Sequence, residues 1–526
     1  MYIRRGGAAY GFYRRGKVIS KLRSLFQPSE SITPEELDRG LRSVIYDGMC
    51  TQAMGVLTGG AFLVAFALHL GASNFHIGLL AGIPFLAQFL QIPAVYLVEK
   101  VRYRRGIAII FSGASRLFWL VIAAIPLLFL SHLGAGLPVL IVALVLYAGL
   151  GAVSGTSWNS WMRDLIPEKV LGGFFSKRLM LSTGLGMVLT LIAGYFVDFW
   201  GGRFPENQPY AYSILFAAGC LVGMLGLYFL FRTPEPKMEM HGETPPLREL
   251  LLRPLKDINF RRLLLFSVPW SFAINLAAPF FTVYLLVRLE YSLSSVVLLS
   301  VLSQVTNMFF VRIWGKLSDR FSNKSVLLVG GPLFLLCILA WPFTTMPGKY
   351  FLTLPLVIII HIFTGISLAG VTLGTGNIAL KLSPRGQATS YLAASGMLNS
   401  LAAGIASLIG GSIAVFFATK ELSLFLHWSE TNTQIGIQAI SFEGLDFLFI
   451  IAFVIGLYSM HRLYLVSEEG EVTERIVITE LTAEMMQQMK SVSTVGGLRQ
   501  LTSFPLYIAR DSLRKLSRTN NKRREK

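Results

Sequence analysis

Asp319–Arg320 and Asn323–Lys324 stand together in GKLSDRFSNKS (315–325), between two long apolar runs. Side chains of these types at this spacing do no covalent chemistry. They pair with opposite charges and anchor a turn at a membrane surface. Inside the apolar runs the ionisable groups of note are Asp47, Arg116 and His361. An ionisable group in such a setting is costly, and it marks a solute path, a proton relay or an internal ion pair. His361, with an ordinary pKa of about 6.5, can carry a coupling proton. Arg116 can hold an anionic group or neighbouring carbonyls, and Asp47, in the first turn or so of its run, can pair with a basic residue. Nothing points to a catalyst. The seven histidines form no metal-ligating spacing, no Walker sequence occurs, and GLGAVSG (149–155) follows no strand. The expectation is no enzyme, no cofactor and no resident metal.

The elements that hold these groups are readable from composition. The chain has 526 residues, 53% hydrophobic and 14% charged, against roughly 25% charged in a soluble domain. Twelve runs are long and apolar enough to cross a bilayer, near 44–70, 74–98, 106–130, 137–161, 179–200, 210–231, 262–287, 292–316, 325–345, 351–380, 388–417 and 444–465. They are rich in Leu, Ile, Gly and Ala and lack the alternation of a barrel strand, which predicts helices. Arg4, Arg5, Arg14 and Arg15 precede them without an apolar h-region, so the first run reads as an uncleaved signal-anchor. Cys50, Cys220 and Cys337 fall inside the runs and act as small apolar residues.

The net charge is +18. With a cytoplasmic N-terminus, the outer turns hold Arg203, Arg288, Lys349 and Lys420. The inner turns hold Lys100, Arg102, Arg104, Arg105, Lys169, Lys177, Arg178, Arg320, Lys324, Lys381 and Arg385, with the basic tail. This positive-inside bias predicts both termini in the cytoplasm. Because the cations flank the spans, no nucleic-acid partner is expected. Membrane lipids are the partner expected of the basic tails.

The segment RTPEPKMEMHGETPPLRELLLRPLKDINFRR (232–262) is rich in Pro and charge and divides the runs six and six. The predicted parts are a basic segment 1–43, bundles at 44–231 and 262–465 joined by a linker 232–261, and a tail 466–526. The halves echo one another: LGASNFHIGLLAGIPFLAQFLQIPAVYLVEKVRYRR and LEYSLSSVVLLSVLSQVTNMFFVRIWGKLSDRFSNK share one plan. The pattern G-x-L-x-D-R-F-x-N-K resembles the loop signature of the major facilitator superfamily. The first copy carries Glu99, Lys100 and Arg104 at the signature's Asp, Arg and basic positions and Val95 at its leading Gly. The resemblance covers about 40–465.

That resemblance implies an all-α integral membrane fold, twelve transmembrane helices in two pseudo-symmetric six-helix bundles, in a bacterial inner membrane. It implies a monomer that moves a small solute by rocker-switch alternating access, alone or with a coupling proton or other ion. Glu99, Lys100, Arg104, Gly315, Asp319, Arg320 and Lys324 would form a cytoplasmic gate, with Arg163 and Asp164 of SWNSWMRDLIP joining it through Glu99. Gly315 is read as allowing close backbone approach. Runs 1, 4, 7 and 10 would line the cavity, offering Gln52, Tyr147, Asn275 and His361, with Gln88, Gln304, Asn307 and Asn399 on flanking runs. Asn275 lies between Pro269 and Pro279, where a kink would free carbonyls for the cavity. The set is mostly neutral and suits a hydrogen-bonding or amphipathic solute. The fourth run carries no charge, which weighs against drug–proton antiport. Two rival readings are a lipid- or amphiphile-handling protein on the same fold, and a non-transporting sensor acting through the tail. In that tail TELTAEMMQQMKSV (479–492) reads as an amphipathic helix.

Overall fold

A computed structural model describes residues 27–129, 132–238, 254–345, 348–384, 388–430 and 433–493. The basic residues before 27, the linker over 239–253, Arg385 and the tail beyond 493 fall outside these ranges. Among the described residues twelve helices are long and apolar enough to cross a membrane. They are α1 (Pro34–His69), α2 (Asn74–Val101), α3 (Arg104–Leu128), α4 (Leu133–Leu165), α5 (Val170–Arg203) and α6 (Pro205–Phe231) in the first half. The second half has α7 (Ile258–Arg288), α8 (Leu293–Arg320), α9 (Asn323–Thr344), α10 (Thr353–Lys381), α11 (Ser390–Phe417) and α12 (Leu445–Leu463).

The helices fall on the twelve runs, but their ends move. α1 starts at Pro34 because Thr33 and Glu36 form a capping box: Thr33 Oγ1 accepts from the Glu36 N–H at 3.3 Å, and the Glu36 carboxylate accepts from the Thr33 N–H at 3.0 Å. Asp47 therefore sits in the fourth turn of α1, not the first.

The packing repeats between halves. α1 lies on α5 and α6 as α7 lies on α11 and α12, and α3 lies on α4 and α6 as α9 lies on α10 and α12. The halves meet where α2 crosses α11 and α5 crosses α8. Both crossings are at the end of the molecule away from the linker, where glycines let backbones touch. A Cβ on Gly78 would stand 2.2 Å from the Ser407 carbonyl oxygen, and one on Gly411 2.8 Å from that of Asn74. On the other crossing a Cβ on Gly194 would stand 2.4 Å from Val297.

Among the described residues one element is not helical. β1 (Glu421–Glu430) and β2 (Thr433–Glu443) form an antiparallel hairpin between α11 and α12, where the sequence reading had only an outer loop. The alternation Leu422-Ser423-Leu424 is the period-2 signal that marks it. Arg288 ties it to α7 through Glu443 at 2.7 Å. We call this end of the molecule the hairpin end and the opposite one the linker end. At the linker end the tail forms α13 (Glu474–Ser493), as its amphipathic pattern suggests. Val477 and Leu481 bury against Phe310, Trp314, Leu317 and Val326.

Candidate solute cavity and the closures at its two ends

A cavity of about 240 Å³ lies between α7, α10 and α11 and runs from mid-helix toward the linker end. Its polar wall is built by helical periodicity. Ser267, Ser271 and Asn275 recur every fourth residue on α7, Thr372 and Thr375 face them from α10, and Ser395 and Asn399 from α11. Trp270 and Ile274 add apolar surface. Pro279 has no N–H to give the Asn275 carbonyl, which instead accepts from Ser407 Oγ at 3.3 Å. The Asn399 side-chain oxygen is buried with no partner among the described residues. Such an acceptor costs free energy until something donates to it.

Asn275 and Asn399 thus reach the cavity, while the other candidates lie elsewhere. His361 is hydrogen-bonded through Nδ1 to the Val357 carbonyl at 2.8 Å and meets the Trp341 ring edge-on at 5.7 Å, away from the cavity wall. Gln88 donates to the Pro84 carbonyl at 3.4 Å and Gln304 to that of Ser300 at 3.5 Å. Asn307 packs where α8 passes Gly365. Tyr147 sets its ring against Trp119 at 5.4 Å, and Gln52 lies against Gly186 of α5. The Ser and Thr stripes were missed because small hydroxyls in apolar helices look like packing residues. Their spacing of three and four is the signal that separates them.

In the first half, Asp47, Arg116 and Arg178 converge from α1, α3 and α5. Arg116 lies 3.8 Å and Arg178 4.0 Å from the Asp47 carboxylate. Arg116 also donates to Thr51 Oγ1 at 3.0 Å and to the Gly223 carbonyl.

The linker end carries two matching networks. The Glu235 carboxylate accepts from the peptide N–H groups of Arg104 and Arg105, the first two residues of α3, at 2.7 and 3.1 Å. Glu468 accepts from those of Asn323 and Lys324, the first two of α9, at 3.3 and 2.7 Å. Each half is thus capped by the segment leaving its own sixth helix. This fixes the repeat one residue away from the register in which Arg104 matches Lys324. The Arg104 guanidinium is fully buried, pairs with Asp164 and Glu235, and donates to the Pro236 carbonyl at 2.8 Å. Burial pushes the Glu235 carboxyl up, against the peptide N–H groups and guanidiniums that pull it down. On the second half Lys381 pairs with Glu468 at 3.0 Å and Lys324 with Glu471 at 2.7 Å.

The gate residues therefore sort differently from the expectation. Asp164 joins the first-half network through Arg104. Arg320 meets Glu480 of α13 at 2.8 Å. Lys100, Arg163 and Asp319 are exposed. Gly315 is not a close approach, since a Cβ there would meet only Leu373, at 3.8 Å.

At the hairpin end one carboxylate joins the halves. Asp198 of α5 accepts from the N–H groups of Leu293 and Ser294, the first residues of α8, at 3.2 and 2.8 Å. No rule applied to the sequence picks Asp198, because its partner is a helix start almost a hundred residues on. Asp198→Ala should weaken this closure by about 1 kcal/mol, the usual worth of a helix cap. Spin labels across the hairpin end would then show a larger open fraction, and an unchanged distribution would deny the cap that role.

Two pseudo-symmetric six-helix halves that meet at the hairpin end, with a polar cavity between α7, α10 and α11 of the second half, define the fold of a membrane transporter. The chain belongs to the Major Facilitator Superfamily, whose family model matches residues 48–407. No curated protein matches the sequence. Among solved structures, a D-xylose–proton symporter is similar with a TM-score of 0.60 and 15% identity, covering 82% of this chain and 99% of its own. A bacterial homologue of the human lysosomal transporter Spinster, inward-facing and unoccupied, scores 0.57 at 15% identity, with 85% and 99% covered. The nucleoside transporter NupG scores 0.56 at 12% identity, with 82% and 98% covered.

Proposed function

We propose that this protein carries a small solute across a membrane by alternating access, with its linker end and both termini in the cytoplasm. The observation that carries this reading is a polar cavity lying toward the linker end, paired with a backbone-to-backbone closure at the hairpin end. The halves would rock about the two crossings so that the cavity faces each side in turn. In this reading the linker end is the open one, since the two crossings that join the halves lie at the hairpin end. Asn275 and Asn399 would bind the solute, with Ser271 and Thr375 beside them. Asn399 offers an unfilled acceptor, which suits a solute with hydroxyl or amide donors. His361, bonded to its own helix and packed on Trp341, takes a packing role in this reading rather than proton coupling. Lys100, Arg163 and Asp319 are the exposed charges that would pair across the halves when the linker end closes. Asp319→Asn should then slow flux with membrane insertion unchanged, and normal flux at a normal protein level would remove it from the gate. The protein would act as a monomer in a bacterial inner membrane.

The test is a melting screen of purified protein in detergent with sugars, nucleosides, amino acids and lipids, since a ligand of the native state raises the melting temperature. A solute whose shift is lost in Asn399→Ala, and which then exchanges across proteoliposomes, establishes the reading. A solute that binds but never crosses the bilayer would leave a sensor instead. Truncation after about 466 cannot separate the two, because it removes Glu468 and the cap of α9.

A further inference from the structure

We propose that Arg178, on α5 of the first half, binds an anionic group of the solute, a carboxylate, phosphate or sulfate. The inference rests on the transport reading above and names the solute's class.

Charge is the first observation. Asp47 is one carboxylate between two guanidiniums, so one positive charge is left over. An uncompensated charge in such a place is expensive unless something pairs with it. Arg116 is the better satisfied of the two, holding the Gly223 carbonyl and Thr51 as well as Asp47. Arg178 donates through Nε to the Val44 carbonyl at 3.3 Å, and its guanidinium lies over the Trp158 ring at 5.0 Å. A guanidinium has five N–H donors, and most of those on Arg178 remain for a ligand.

Access is the second. The Arg178 side chain is 23% exposed, against 8% for Arg116 and 5% for Asp47. Thr51 and Gly55, on the face of α1 toward which Arg116 reaches, are exposed as well. The same face of α1 thus passes from the buried Val44 and Gly48, where Arg178 crosses it, to exposed positions one and two turns on. Gly48 makes that crossing possible, because a Cβ there would stand 2.4 Å from the Arg178 Nε.

The neighbouring polar groups do not oppose that sign. Ser182, one turn along α5 from Arg178, has a buried hydroxyl with no partner among the described residues. The buried indole N–H of Trp158, beneath the guanidinium, has none either. A guanidinium with unfilled N–H donors suits oxyanions, and neither Ser182 nor Trp158 brings a carboxylate to compete for it. The same chemistry would take a free organic anion or the phosphate of a lipid.

The experiment uses the full chain in detergent and matched probes: glucose, glucuronate and glucose 6-phosphate; glycerol, glycerol 3-phosphate and its monoacyl form. We expect an anionic member to raise the melting temperature and its neutral partner to do nothing. Arg178→Gln should weaken that binding about tenfold or more, as loss of a charge-assisted contact does, and Arg203→Gln at the hairpin end should not. A shift with soluble anions identifies a free solute, and one confined to the acylated probe identifies a lipid headgroup. If Arg178→Gln does not fold, Asp47→Asn serves in its place and should tighten anion binding by removing the competing carboxylate. Equal shifts from neutral and anionic members, no shift from any anion, or an anion shift unchanged in Arg178→Gln would overturn the inference. Flux of a neutral solute in proteoliposomes, measured separately, would leave the transport reading standing in each of those cases.

Discussion

Replacing Gly78 with valine should open the hairpin end while leaving both six-helix halves folded. Even the first carbon of the new side chain falls 2.2 Å from the Ser407 carbonyl oxygen and 3.0 Å from the Gly411 Cα. Both obstacles are backbone, so neither can rotate away. The strain of such overpacking is typically about 1–3 kcal/mol. It is relieved by moving α2 away from α11, a displacement between halves rather than within one. About 1.4 kcal/mol is a tenfold change in a two-state ratio, so the closed hairpin end should become the minor form. Reaction of a cysteine placed at Ser407 with a membrane-impermeant maleimide should rise by about that factor. Gly315→Ala is the control, because only Leu373, at 3.8 Å, awaits its Cβ. An equal response of the two variants would show that the crossing is not held by glycine contact.

Glu235→Ala should be the most destabilising single change at the linker end. It strips the cap from two peptide N–H groups of α3 and leaves the Arg104 guanidinium, none of it exposed, with Asp164 as its remaining acid partner. Breaking a buried pair by removing one partner costs about 3–5 kcal/mol. Glu468→Ala removes the matching cap from α9 but should cost less, since Lys381 is 46% exposed and can turn to water. Thermal unfolding in detergent should rank Glu235→Ala below Glu468→Ala. The reverse order would mean that the second network, with its α13 strap, is the stronger fastening.

What the sequence made legible follows from range. Helix identity is local: each apolar run carries its own evidence, and the twelve helices lie on them. The start of α1 was misplaced because the capping box Thr33–Glu36 is polar and lies outside the apolar run it initiates. The hairpin was passed over because twenty residues of β-alternation are faint beside helices of thirty. Charge partners are non-local. Arg104 and Asp164 were both recognised as important, yet their pairing with each other and with Glu235 depends on how α3, α4 and the linker converge. The tail shows the same thing: α13 was visible as an amphipathic segment, but not that its Glu480 and Glu484 meet Arg320 and Lys316. Of the cavity, Asn275 and Asn399 were picked out by polarity, whereas Ser267, Ser271, Thr372 and Thr375 needed the fold to show a common face.

The most direct test of alternating access is a pair of distance measurements on one protein. Spin labels at Gly202 and Phe351 would report the hairpin end, and labels at Val101 and Lys256 the linker end. All four positions are exposed, and the native Cys50, Cys220 and Cys337 are buried. Each pair would be measured in the parent and in Gly78→Val. The account predicts opposite changes, with the hairpin-end distance growing and the linker-end distance shrinking in the same molecules. Distances that stay fixed, or that grow together at both ends, would contradict it.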